Sequence, residues 1–247
     1  MKLSAVIITK NEEKNIESCI RSLGFADEII VIDNYSSDQT AEIAVKLKAR
    51  VFKLNGLDFS TLRNLGRVKA KGEWLLYLDA DERVSRKLSG EIIEKIGKND
   101  VVCAYEIPRV NYYFGKIWPY VENMTRLIRK NKLIGWRGSL HETPVFRGRI
   151  GYLEAPILHY THTDLRSMVD KTNEWSEIEA QLRLLKNHPK VSWWRFFRVM
   201  LTAFWQSFIR QGGWRTGNRG IIESIYQSFS IFITYAKLWE KQNKSTN

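Results

Sequence analysis

The sequence predicts an α/β fold: a mostly parallel sheet flanked by helices, a β-rich second half, and a C-terminal amphipathic helical appendage. Three observations carry this reading. Apolar runs at 3–8, 28–33, 51–54 and 74–79 alternate with segments of helical periodicity, which is the pattern of βαβ units. From 101 to 160 the alternation gives way to β-like runs broken by Gly, Pro and Asn. Beyond Pro189, five of the nine Trp residues share 191–247 with eight Lys/Arg and two acids.

In chain order, the run at 3–8 is a first strand that ends at Lys10-Asn11-Glu12-Glu13. It is too short for a signal peptide, so a cytoplasmic protein is expected. Ile16, Cys19, Ile20 and Leu23 follow at helical spacing until Gly24. The second strand ends in Asp33, and Asn34-Tyr35-Ser36-Ser37-Asp38 offers caps to a helix over about 40–49. After the third strand, Ser60 is expected to cap a helix carrying Leu62, Leu65 and Val68, and Gly72 leads into the strand at 74–79. Runs at 101–107, 124–129, 143–146 and 156–160 predict a mixed or antiparallel extension that forms the other half of a cleft. Asp164 then caps a helix to about 188, with Met168, Trp175, Ile178, Leu182 and Leu185 expected on its buried face.

With 247 residues, 44% of them hydrophobic and 27% charged, the chain can bury a substantial core. Cys19 and Cys103 sit in apolar surroundings and read as small core residues in a reducing compartment, with neither a disulfide framework nor zinc spacing. The net charge of +12 is uneven, and 191–247 alone carries +6. Two regions are therefore expected: a main α/β domain over 1–190 and a basic, Trp-rich helical tail over 191–247.

In that tail Arg195, Arg198, Thr202, Gln206 and Arg210 recur every three or four positions and border an apolar face that includes Trp193, Trp194 and Trp205. A wide aromatic face edged by arginines predicts a helix lying in a membrane interface, with an anionic membrane surface as partner. The uncharged runs at 199–209 and 224–236 fall short of the ~20 residues a spanning helix needs. The alternative is that these helices pack on the main domain. No nucleic-acid partner is expected, because the cations flank a continuous apolar face and not a basic groove.

The strand at 74–79 runs directly into Asp79-Ala80-Asp81-Glu82. In sheets of this class ligands bind at the carboxyl ends of the strands. Those ends carry Thr9, Asp33, and Asp79 with Asp81, so one polar rim is expected to hold a ligand. Clustered carboxylates with no basic neighbour in sequence before Arg83 repel unless a hard cation or strong donors stand between them. Oxygen ligands of this kind suit Mg²⁺ or Mn²⁺. The alternative is a solvated acidic loop.

Four ordered stretches resemble a known family: Leu3-Ser-Ala-Val-Ile-Ile-Thr-Lys-Asn-Glu-Glu, Val31-Ile-Asp-Asn-Tyr-Ser-Ser-Asp-Gln-Thr, Leu62-Arg-Asn-Leu-Gly, and Gly72-Glu-Trp-Leu-Leu-Tyr-Leu-Asp-Ala-Asp-Glu. Together they are similar to the family 2 glycosyltransferases of the Rossmann-like GT-A fold, especially the bacterial lipopolysaccharide inner-core β-glucosyltransferases. The Ser139-Leu-His-Glu-Thr stretch and the Trp-rich tail extend the likeness more loosely. The resemblance implies a UDP-sugar donor, a divalent metal, inversion at the anomeric carbon, and a lipid-linked or lipopolysaccharide acceptor at the cytoplasmic face of the inner membrane.

On the matching positions, Thr9, Asn11 and Glu13 would hold uracil and ribose, Asp33 the nucleoside, and Arg63 the diphosphate. Asp79 would face the ribose or the metal, and Asp81 would bind the metal. Many relatives carry a second acid where this chain has Asn34. Inversion needs a carboxylate to take the acceptor proton, and Glu142 is the candidate, with a salt bridge to an arginine as its other reading. His141 is a candidate to orient Glu142 or a phosphate. His159 or His162 is a candidate metal ligand, although an isolated strand histidine is more often a satisfied core residue. The competing functions are a nucleotidyltransferase, which needs a Gly-rich basic loop that 9–13 does not supply, and a non-catalytic membrane-binding protein of degenerate fold.

Overall fold

The structure is a computed structural model that describes residues 1–55, 58–98, 101–138 and 142–244. The chain divides into two compact units, 1–110 with 121–159 and 111–120 with 160–247. Residue 190, the boundary expected from sequence, falls inside the second unit, because the helix before it packs with the tail helices.

The chain runs through β1 (Leu3–Thr9), α1 (Ile16–Ser22), β2 (Glu28–Asp33), α2 (Thr40–Lys46), β3 (Arg50–Lys53), α3 (Phe59–Lys69), β4 (Trp74–Asp79), β5 (Glu82–Val84) and α4 (Arg86–Gly97). There follow β6 (Val102–Tyr113), β7 (Lys116–Arg129), β8 (Leu133–Arg137), β9 (Thr143–Phe146), β10 (Arg149–Tyr152) and β11 (Ile157–Tyr160). The helical remainder is α5 (Leu165–Leu185), α6 (Trp193–Trp205), a π-turn over Gln206–Arg210, a 3-10 turn over Gly213–Thr216, and α7 (Asn218–Lys244).

The sheet order is β3-β2-β1-β4-β7-β6-β11-β5, with β10 beside β6, while β8 and β9 form a separate pair. The β3-β2-β1-β4 half is parallel, and β7 joins β4 antiparallel. This is the expected α/β class with its mixed extension. Every residue of β1 is buried, which explains why its sequence is a continuous apolar run. Alternate residues feed different cores: Ala5, Ile7, Leu76 and Leu78 join the cluster containing α1 and α4, whereas Val6, Ile8, Leu75 and Tyr77 join the one containing Leu62 of α3 and Trp136 of β8.

Some local expectations are corrected. Asp58, not Ser60, caps α3, accepting from the Ser60 N–H at 2.9 Å. Its short carboxylate serves a helix start as well as a serine hydroxyl does, two residues earlier. Ser85 caps α4, a helix that the sequence reading passed over along with β5, β8 and β10.

In the second unit Asp164 caps α5 as expected, accepting from the Ser167 N–H. The buried face of α5, however, is Met168, Thr172, Ser176 and Ala180, while Trp175 and Leu185 are exposed. The small residues bring α5 close to α7, and Thr172 Oγ1 meets the Tyr226 hydroxyl at 2.7 Å. Ala180, Val191, Tyr235 and Leu238 form the core there, with Phe196 and Val199 of α6 packed against it. Among the described residues no helix is long and apolar enough to cross a membrane. Cys19 and Cys103 are buried free thiols, and burial pushes the Cys19 thiol far up.

Candidate functional site

The register of the parallel strands builds the rim. Thr9 of β1 pairs with Asp33 of β2, and Ile8 pairs with Asp79 of β4, so the three strand ends stop together. Beyond them the β1 and β2 loops lock onto each other. Asn11, at φ 53, accepts from the Ser37 N–H at 2.8 Å, and its own N–H donates to Ser36 Oγ. Asparagine tolerates this left-handed backbone. The Glu13 N–H donates to Asp38, and Glu13 Oε2 accepts from the Gln39 N–H. Asp33 is fully buried and accepts from both the hydroxyl and the N–H of Ser36. The Thr9 hydroxyl is buried with no protein partner among the described residues.

Strand parity places Asp79 on the Tyr77 face, where α3 lies. The α3 helix can press close because Gly66 leaves room that a Cβ would fill, 2.3 Å from Val6 Cγ1. Arg63 of α3 is consequently buried at 1% exposure and stacks over Trp136 at 4.9 Å. Its Nη2 donates to Asp79 Oδ1 at 2.8 Å and its Nε to Glu142 Oε1 at 2.7 Å. Arg126 of β7 is also buried and donates to Asp79 Oδ2 at 3.0 Å. Both Asp79 oxygens are thus held by arginines. Burial raises the Asp79 pKa, but Arg126, Arg63 and Arg109 outweigh it and hold the carboxyl well below the ordinary range.

Glu82 is fully buried, accepts the Asp79 N–H at 3.0 Å, and faces Arg109 at 3.3 Å and Arg126 at 3.6 Å. Arg109 also pairs with Glu122. The acidic cluster that lacked basic neighbours in sequence therefore meets three arginines from α3, β6 and β7 in space. Arg109 and Arg126 were missed by the sequence reading. Arg126 gave only a charge inside the run at 124–129, and Arg109 a charge just past the run at 101–107, which sequence alone does not separate from an exposed edge.

Asp81 faces β11. Its Oδ2 lies 3.3 Å from His159 Nε2 of β11. Burial lowers the His159 pKa, but the charge and hydrogen bond of Asp81 outweigh it and raise it. Two ligands on adjacent corners of an octahedron with bonds of ~2.1 Å stand about 3 Å apart. The carboxylate–imidazole pair fits one edge of such a site, and no third His, Cys, Asp or Glu joins it among the described residues. A hard cation held there must complete its shell with ligand oxygens and water.

The remaining candidates fall elsewhere. His162 belongs to the second unit, where its Nδ1 meets Glu223 Oε2 at 2.9 Å and its ring stacks on Tyr113, as a satisfied core histidine does. His141 lies outside the described residues. On α6, Trp193, Trp194, Phe197, Leu201 and Trp205 are exposed, and Arg195 and Arg198 lie over the Trp194 ring.

Comparisons with known proteins bear on the family and the fold. Residues 4–155 match the sequence model of the family described as Glycosyl transferase family 2. An uncharacterized glycosyltransferase of Rickettsia prowazekii (strain Madrid E), RP128, is 31% identical, covering 100% of this chain and 89% of that protein. LpsC of Rhizobium meliloti (strain 1021), a lipopolysaccharide core biosynthesis glycosyltransferase, is 26% identical over 98% of this chain and 93% of its own length. The crystal structure of S. aureus TarS 1–349 in complex with UDP-GlcNAc is similar in fold, with a TM-score of 0.52 at 16% identity over 99% of this chain and 92% of that one.

Proposed function

Since this chain belongs to glycosyl transferase family 2, we propose that it moves a sugar, glucose, from a UDP-sugar to a lipid-linked acceptor of the lipopolysaccharide core class, inverting the anomeric carbon with the help of a divalent ion. The observation that carries the proposal is the Asp81–His159 pair at 3.3 Å, set beside an Asp79 already neutralised by Arg63 and Arg126. Likeness to LpsC over nearly the whole chain supports the acceptor class.

In this reading the β1 and β2 ends take the nucleoside, with the unpartnered Thr9 hydroxyl, Asn11, Glu13 and Asp33 lining its place. Asp81 and His159 would hold Mn²⁺ or Mg²⁺, which would supply Lewis-acid neutralisation of the leaving diphosphate. Asp79, with both oxygens held, would not ligate the ion; it fixes Arg63 and Arg126, whose buried nitrogens without a hydrogen-bond partner among the described residues add positive potential where charge develops. Glu142 takes the acceptor hydroxyl proton through Oε2, since Oε1 is held by the Arg63 guanidinium. The exposed aromatic face of α6, edged by arginines, rests on an anionic membrane, the cytoplasmic face of the inner membrane.

The test is thermal unfolding with UDP, GDP or CMP, each with and without Mn²⁺, on the wild type, Asp81→Asn and His159→Ala. A ligand at a hundred times its Kd adds ~2.7 kcal/mol. Stabilisation by UDP only with metal, lost in both variants, is expected. Metal-independent or absent stabilisation by all three nucleotides would overturn the donor and metal assignment.

A further inference from the structure

A second basic site lies in the helical unit. Lys116 at the start of β7, Arg215 in the 3-10 turn and Arg219 in the first turn of α7 border an open cavity of about 570 Å³ together with Tyr112 and Thr216. No acid lines it, and none of the three cations has an ion-pair partner among the described residues. Three convergent like charges repel unless an anion joins them, and a group offering several acceptor oxygens satisfies all three. The surroundings say what carries that group. The Arg215 guanidinium lies over the exposed Trp214 ring at 5.1 Å, and Ile221, Ile222 and Ile225 of α7 are exposed next in the chain. Charge in a pocket and bare apolar side chains beside it match an amphiphile with an anionic head.

We propose that Lys116, Arg215 and Arg219 seat the phosphate of an anionic phospholipid headgroup, so that one lipid fixes the register of α6 and α7 on the bilayer. This rests on the membrane-facing reading of α6. Only a cation held close to an anionic surface adds attraction, about fivefold each, so removing the three that bind one headgroup is expected to weaken vesicle binding by about a hundredfold.

The test uses the full chain and sedimentation with vesicles of phosphatidylcholine, with or without phosphatidylglycerol. One variant combines Lys116→Gln, Arg215→Gln and Arg219→Gln. A control of equal charge combines Arg166→Gln, Lys186→Gln and Lys190→Gln, all exposed in the same unit. Binding that requires phosphatidylglycerol, is lost in the pocket variant and survives in the control is expected. Equal weakening in both variants would make the attraction diffuse and overturn the pocket. A wild type that ignores both vesicle types would overturn the membrane reading and this inference with it. Glycerol 3-phosphate supplies the phosphate without acyl chains; heat protection by it, lost in the pocket variant, would reassign the site to a soluble phosphate. Should the triple variant fail to fold, Arg219→Gln alone carries the comparison.

Discussion

Arg63 Nη2 donates to Asp79 Oδ1 across 2.8 Å, tying a helix residue to a strand-end carboxylate sixteen positions away. Because the same guanidinium also reaches Glu142, one buried side chain sets the place of two acids. Removing one partner of a buried pair strands the others, at about 3–5 kcal/mol. Arg63→Met is therefore expected to lose stability in that range by urea denaturation. Arg63→Lys keeps the charge but not the planar fork, so it should recover part of the stability and little of the transfer rate. A lysine variant with wild-type rate would show that the fork geometry is immaterial.

Glu142→Gln separates the two readings of that residue. Glutamine still offers an oxygen to Arg63 Nε, so the fold and donor affinity should hold, while the proton acceptor is lost. A kcat reduced by about 10²–10⁴ with donor KM little changed is expected from UDP release in the presence of acceptor. A loss of less than tenfold would leave Glu142 as a structural partner of Arg63 alone.

How much of this was legible in the sequence depends on what each feature needed. The parallel strands were readable because residues buried on both faces must be apolar throughout, as in β1 and β4. The rim was readable because parallel registry aligns Thr9, Asp33 and Asp79. The partners of Asp79 were not, since Arg126 arrives from a strand 47 residues later, and no local pattern encodes that pairing. The α5 face was not legible, because large apolar residues signal a core by size and periodicity, whereas Thr172, Ser176 and Ala180 are the residues that admit α7. Near that helix, charge and Trp content pointed to exposure, and Trp193 at 75% exposure agrees.

Gly66 is the place where α3 meets the sheet most closely. Gly66→Ala puts a methyl against Val6, an overpacking expected to cost about 1–3 kcal/mol and to move Arg63 with its helix. Val6→Ala opens the matching space. The double variant should therefore be more stable than the sum of the two single changes implies, as measured by a double-mutant cycle in urea. Simple additivity would mean that α3 yields elsewhere and that Gly66 does not set its distance.

Glu28 gives the pH dependence of the scaffold beneath the site. It accepts from Ser4 Oγ at 2.6 Å, from the Lys71 N–H at 2.9 Å, and from Arg50. Burial raises its pKa, but Ser4, Lys71 and Arg50 outweigh it and hold the carboxyl below the ordinary glutamate value. The folded state thus favours the carboxylate. Its contribution is complete above the unfolded pKa of about 4.3 and is lost as pH falls through the lower folded value. Glu28→Gln cannot present the same acceptor pair and should cost about 1–3 kcal/mol near neutrality. The gap between wild type and variant, followed by urea denaturation, should close as pH drops from about 6 towards about 3. A gap that stays constant across that window would mean that Glu28 is held by its donors equally well when protonated.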